Sequence, residues 1–449
     1  MAYPTIRVEA AFTVGGAFGT ALVLDNATTG KLDTGTLSAE VWTDITAYAT
    51  AFSTRRGASR AEGPILRFEA GTCSVTLDNA DRRFDPTNLS GPYVSAGKTQ
   101  VTPMRSVRIL ATYNGTEYPI FRGYADSWDI SYDEPAMSTC VLTATDATKV
   151  LSNVDRAALA TAVGEGESSG ERIHRVLDSA SWPLGPDFRA IDPGKSTLQS
   201  TTMDRSAWEE MLKVQDSEIG AVFVDGAGRV VFRNRHANLE SVLSTTVQGN
   251  FGDGLGLGAW ILGTGVLGSI ALGVSTIESP FEDAVIVYDD DGLANVVRIA
   301  NVGGNQQVAE DVGSQRDYLI HTYERTDLIL QTDTEAATYA AFVLFAASEP
   351  ELRFTSLSVM PHDDPDALFP QVLGREFGDR VRLTRRPPPG GDLVSRDSFI
   401  VGVTHEVSGP NQWRTTWALQ SATKVGGPFL TLDNAASGVL DSTSYPLAF

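Results

Sequence analysis

The stretch SVRILATYNGTEYPIFRGYADSWDISYDEPAMSTCVLTATD, residues 106–146, decides the fold. The run from Ser106 to Tyr113 meets Asn114 and Gly115 and resumes as EYPIFRGYA. Asn-Gly between two such runs is the strongest short-range hairpin signal. A further pair, YADSWDISY and STCVLTATD, is separated by the turn residues Asp133, Glu134 and Pro135. Upstream, GTCSVTLDN (71–79) alternates and then breaks at Asp78 and Asn79, residues that hydrogen-bond their own backbone in turns. From Arg7 to about Asn153 the pattern predicts a compact antiparallel sheet or barrel.

Composition agrees with a mainly β chain. Its 42 glycines and 21 prolines suit short strands joined by turns. At roughly 150 residues per domain, 449 residues suggest about three domains, and 42% apolar residues supply a core for each. The 35 Lys+Arg against 56 Asp+Glu leave a net charge of −21, which disfavours a sequence-reading nucleic-acid protein because phosphate contacts need clustered cations. Cys73 and Cys140 cannot make a disulfide framework and read as reduced, buried thiols. The start MAYPTIRVEAAFTV lacks the pattern of a signal peptide, so synthesis in the cytoplasm is expected.

Beyond residue 153 the character changes. ERIHRVLDSASW (171–182) and DRSAWEEMLKVQDSE (204–218) have helical spacing, with Asp204 or Ser206 as a cap for the second. IGAVFVDGAGRVVFRNR places the turn Asp225 to Gly228 between two strands. Gly254 to Ile277 is uncharged and long enough to span a bilayer, but its recurring glycines disfavour a helix and predict a glycine-rich extended segment. EDAVIVYDDDGLANVVRIA then reads as a hairpin turning at Asp290 to Gly292. Thr332 to Ser348 reads as a helix capped by Thr332 or Asp333 and ended by Pro350. RFTSLSVM, GDRVRLTRR, SFIVGVTHEV and WRTTWALQSA read as strands, Pro387 to Gly391 as an exposed loop, and 426–449 as a polar tail.

Two echoes run through the chain. Phe121, Gly123 and Trp128 lie on a run that returns through CVLTATD; Phe399, Gly402 and His405 lie on one that turns at Gly409 and Pro410 and returns through WALQSA. This suggests two related barrels around an inserted module. LDNATTGKLD (24–33) resembles LDNAASGVLD (432–441), and LDNAD recurs at 77–81, which reads as repeated turn chemistry.

The search for catalytic or metal sites ends without one. Gly194, Lys195 and Ser196 look like the end of a phosphate-binding loop, but Arg189 stands where that motif needs glycine and Pro193 interrupts it. His174, His236, His321, His362 and His405 have no ligand spacing. Asp289, Asp290, Asp291 and Gly292 lack the glutamate of a calcium loop, since Ala300 holds its position. The pairs Asp363–Asp364 and Glu209–Glu210 read as surface carboxylates. Arg55, Arg56, Arg60, Arg67, Arg82 and Arg83 concentrate in the first β region, either as a solvated face or as a face that docks an acidic neighbour.

VTLDNADRRFDPTNLSGPY (75–93), with MRSVRILATYNGTEYPIFRGYADSW and the TATDATKVL exit, resembles the N-terminal domain of tail-tip or baseplate hub proteins of long-tailed bacteriophages. In actinobacteriophages such chains are called minor tail proteins. GAVFVDGAGRVVFRNR is similar to that family's middle module, and GREFGDRVRLTRRPPPG with FIVGVTHEVSGPNQWRTTWALQ to its second barrel.

The resemblance implies two tail-tube-like β-barrel domains, 1–153 and 279–425, flanking a mixed α/β module, 154–248. A glycine-rich insert (249–278) and a tail (426–449) complete the chain. It further implies a homotrimer forming a pseudo-sixfold ring at the distal tail tip of the virion, joining the sixfold tube to a threefold tip while DNA passes without specific binding. Expected partners are a distal tail protein or tube ring, the tape measure protein and other tip or fibre proteins. The insert departs from that family's pattern; from its 24 uncharged residues, 254–277, three copies are expected to meet near the axis and plug the tube or touch the host membrane. No catalytic residue, cofactor or metal is implied. The rival readings are a receptor- or glycan-binding tip protein using Trp42, Trp128, Trp182 or Trp260, and a cell-wall hydrolase.

Overall fold

The computed structural model describes residues 3–12, 40–58, 65–134, 137–154, 159–253, 278–387, 392–409 and 412–424. Gly254–Ile277, the two LDNA segments at 24–33 and 432–441, the tail, most of the PPPGG loop, Pro135, Pro410, Arg60 and Trp260 lie outside them.

The stretch at 106–146 folds as a three-stranded meander. Asn114 (φ 49°) and Gly115 (φ 80°) make the left-handed turn that joins Ser106–Tyr113 to Thr116–Glu134, with Tyr113 opposite Thr116. EYPIFRGYA and YADSWDISY are one 19-residue strand, bulged between Ala125 and Ser127, and it returns through Met137–Thr145. The strand bends but does not break, because the bulge takes up the twist.

Numbering the strands of the main sheet along the chain gives β1 (Thr5–Ala10), β2 (Thr43–Asp44), β3 (Ala49–Gly57), β4 (Glu69–Asp78), β5 (Ser106–Tyr113), β6 (Thr116–Glu134) and β7 (Met137–Thr145). The later ones are β8 (Val247–Gly252), β9 (Asp283–Val287), β10 (Arg353–Val359), β11 (Arg380–Arg385), β12 (Val394–Ser408) and β13 (Trp413–Ser421). All thirteen belong to one sheet. Its first unit has the order β3-β4-β7-β6-β5-β1, and its second β9-β10-β13-β12-β11-β8. The two orders are the same when strands are matched by their rank along the chain. Every neighbouring pair is antiparallel except β8 with β11, which is parallel where β1 with β5 is antiparallel.

The weak echo in sequence is therefore a repeat of topology. The expectation of two separate barrels is corrected: among the described residues the sheet stays open. The physical reason is that β3 pairs with β12 of the other unit, so the two units share one sheet and one apolar core.

Helices and small sheets sit beside this frame. The middle module packs α2 (Ser169–Ser179) and α3 (Ala207–Glu218) on a three-stranded sheet of Arg189–Ile191, Ala221–Val224 and Val230–Arg233. Ser206 is the cap of α3, in a reciprocal capping box with Glu209. The Asp225–Gly228 turn is present, held by main-chain N–H groups of Ala227 and Arg229 donating to the Asp225 carboxylate.

The expected hairpin at Asp290–Gly292 is corrected. A turn forms there, but β9 pairs with β10, whereas Val296–Asn301 pairs with Gln307–Glu310 and Thr322–Leu328. Those three strands pack on α4 (Asp333–Ala347), capped by Thr332, around a core of their own. Pro365–Gly374 forms a further helix, α5, with Pro370 inside it, and its Leu368, Phe369 and Val372 join the main core.

Candidate functional site

The feature that makes one molecule of two units is the join between β3 and β12. On β12, residues 394–399 pair with β11 and residues 402–408 pair with β3, from Gly402 opposite Gly57 to Ser408 opposite Ala51. The strand changes partners between Ile400 and Gly402, where its other ladder, with β13, is also bulged. Ala58 N–H donates to Val401 O at 2.8 Å, and Gly378 N–H to Ile400 O at 2.8 Å, so no main-chain gap opens at the change. Close approach forces glycine here. A Cβ on Gly402 would lie 2.1 Å from Ala58 O, and one on Gly57 (φ +86°) 2.4 Å from Val401 O.

Arg56, one residue before Gly57, locks the join electrostatically. Its side chain is 3% exposed and makes a two-pronged pair with Glu376, Nη1 to Oε2 at 3.1 Å and Nη2 to Oε1 at 2.6 Å. It also lies 5.2 Å from the centre of the Phe377 ring. Burial opposes its charge, but Glu376, Asp225 and Asp146 outweigh that and hold its pKa above the ordinary value. These carboxylates come from the second unit, the middle module and the end of β7, so one guanidinium ties three parts together. Asp146 is buried, which pushes its pKa up to about 6 against the pull of N–H donors from Thr148 (2.9 Å) and Gly71 (2.7 Å) and of Arg56.

His405 sits in the same join, opposite Thr54. Its Nδ1 lies 3.3 Å from Trp413 Nε1, a donor only, which assigns Nδ1 as an acceptor; Thr415 Oγ1 is 3.0 Å away. Burial first, and then the Arg56 charge, lower its pKa to about 3. A histidine pKa depressed in the fold supplies stability above about pH 6.5 that is lost as the pH falls toward 3. Thermal unfolding of wild type and His405→Asn at pH 7 and pH 4.5 checks this. The variant is expected to be less stable at pH 7 and to close or reverse that deficit at pH 4.5; a deficit unchanged by pH contradicts it.

The residues singled out by sequence take other places. Of the six arginines singled out in the first β region, the five that are described are each held by a carboxylate of the same chain: Arg55 by Glu69, Arg56 by Glu376, Arg67 by Asp216, Arg82 by Asp85 and Arg83 by Asp81. Those five therefore form no unpaired docking face. The Lys195 and Ser196 amides donate to the Glu218 carboxylate at 3.2 and 2.7 Å, so a side chain of the protein occupies the position a phosphate would take. Asp289 pairs with Arg353 at 2.7 Å.

The histidines are not brought together, and no group of three or more metal-ligating side chains forms among the described residues. Cys73 and Cys140 are free and buried, their thiols pushed up in pKa by burial, Cys140 to about 12. Trp128 and Trp182 are buried, and Trp42 is faced by Arg108 at 4.3 Å, so none of the three offers a bare sugar platform. Sequence reading missed Glu376 and Asp146, though Asp146 is legible afterwards as the cap of helix α1 (Ala147–Asn153).

No protein-family model matches the chain, and no curated protein matches it in sequence. Solved structures do share the fold. The tail protein from Neisseria meningitidis MC58 superposes with a TM-score of 0.52 at 12% identity, covering 86% of this chain and 96% of that one. The 43 kDa tail protein of prophage MuSo2 from Shewanella oneidensis gives a TM-score of 0.52 at 11% identity, covering 94% of this chain and 99% of that one. At these identities the likeness is one of fold, and it extends over nearly the whole of both chains.

Proposed function

We propose that this protein is a non-enzymatic structural component of a bacteriophage tail, the hub that joins a sixfold tube to a threefold tip. The observation that carries the reading is the pair of topologically equivalent six-stranded units in one chain. Three copies of a two-unit chain present six equivalent positions to a sixfold ring and three to whatever lies beyond. The fold shared with two tail proteins supports it, as do the motifs at 75–93 and 106–146.

In this role the partners are a distal tail protein or tube ring, the tape measure protein and tip or fibre proteins, and the site of action is the distal tail of the virion. A ring carrying −21 per copy repels DNA from its surface, which suits passage without retention. Light scattering on the purified protein and mass analysis of tail particles test the proposal. The expected outcome is a trimer that enters tails; a monomer at all concentrations that never enters particles overturns it.

A further inference from the structure

Four parts of the chain meet around one cavity. Its floor is three phenylalanines from three of them: Phe68 just before β4, Phe223 in the middle module and Phe377 just before β11, with ring centres 5.0, 5.3 and 4.9 Å apart. Leu66, Phe342 of α4 and Phe399 of β12 add walls. The cavity measures about 110 Å³ and is partly open to solvent. An apolar cavity of that order, about 150 Å³, takes up benzene, so the space suits a body of one ring or a short branched chain.

The polar groups around it select further. Ala221 pairs with Arg233 and Phe223 with Val231, and opposed residues of an antiparallel pair share a face. Arg233 therefore stands on the face that carries Ala221 and Phe223 into the lining. Among the described residues no carboxylate is paired with Arg233, and the side-chain amides of Asn238 and Gln420, both in the lining, have no hydrogen-bond partner. Arg235, which donates to Ser196 Oγ and Lys195 O, brings a second positive charge. In a chain with 56 Asp+Glu, no acidic residue lines the cavity among the described residues. Apolar walls with a few convergent polar groups are the general form of a small-molecule site.

We infer that this cavity binds a small apolar carboxylate, with the body on Phe68, Phe223 and Phe377 and the head group on Arg233. A planar guanidinium meets a carboxylate through two parallel hydrogen bonds, and the amides of Asn238 and Gln420 supply donors for its remaining lone pairs. One unpaired guanidinium balances one negative charge, which favours a carboxylate over a doubly charged phosphate.

Occupancy has a structural consequence. The Arg56 guanidinium lies 5.2 Å from the centre of the Phe377 ring, and Gly378, also in the lining, donates to Ile400 O where β12 changes partners. A ligand seated on Phe377 bridges the middle module and the seam, and it stabilises the folded chain by mass action.

The test is a fluorine NMR titration of the full chain with 4-fluorophenylacetate, its neutral amide and 4-fluorophenethylamine. The acid is expected to bind with a Kd of about 1 mM or below, as a ligand of about ten non-hydrogen atoms can. The amide should bind about 10-fold more weakly, having no charge for Arg233, and the amine not at all. Arg233→Met is expected to bring the acid down to the level of the amide while the thermal midpoint of the unliganded protein is retained. Ala221→Leu, which fills the cavity, should abolish binding of both. An acid that does not bind, or that binds equally well to both variants, overturns the site. Equal affinity of the wild type for acid and amide overturns the assignment of the head group to Arg233.

Discussion

Replacing Gly402 with valine is expected to cost more than about 3 kcal/mol, the range of severe overpacking at a backbone contact, and to lower the thermal midpoint by roughly 3 °C or more. The new Cβ would stand 2.1 Å from Ala58 O and 3.1 Å from Ala418 Cβ. Main-chain oxygen has no rotamer by which to retreat, so the seam between β3 and β12 must open. Trp413 and Trp417, in β13 beside the seam, report its loss through their fluorescence. Gly115→Ala is the control. Its Cβ meets nothing within 4 Å, and only the left-handed φ of 80° is penalised, by about 1 kcal/mol. A Gly402→Val protein that melts within a degree or two of wild type removes the seam from its central place in this account.

Arg56→Met carries the second large effect, about 3 kcal/mol at neutral pH, because it strips the cation from a buried carboxylate set. Glu376 is 38% exposed and can take water in its place, which lowers the cost below that of a fully enclosed pair. Asp146 cannot, being buried. Its folded pKa of about 6 lies above the ordinary carboxyl value, so its stabilising contribution is complete below about pH 4 and lost as the pH rises through 6. Removing Arg56 raises that pKa further and deepens the loss at high pH. Denaturant titrations at pH 5 and pH 8 are therefore expected to show a larger deficit at pH 8; equal deficits would mean that Arg56 and Asp146 do not communicate.

Local chemistry was readable without coordinates. Asn114-Gly115 fixed a hairpin, Ser206 stood as one of two candidates for a helix cap, and the Asp225–Gly228 turn fell where its residue types demand. Each rests on neighbours within a few positions, so the sequence determines it alone. The repeat of two units was visible only as a faint pattern around Gly123 and Gly402. What the pattern preserves is strand order, and strand order tolerates almost any apolar side chain on the inward face. The partner of a strand was not readable at all. The run at 283–301 looked like a hairpin, yet its two strands belong to different sheets, because a strand's edge offers the same N–H and C=O groups to every candidate.

Likewise, Arg56 was one of six arginines in a list. Only the fold brought Glu376, 320 positions away, to its guanidinium. Sequence determined the elements of this protein, since turns and caps are short-range bonds. Tertiary structure alone decided that two units share a single sheet, since that choice depends on which glycines let distant backbones meet and which charges are buried where they do.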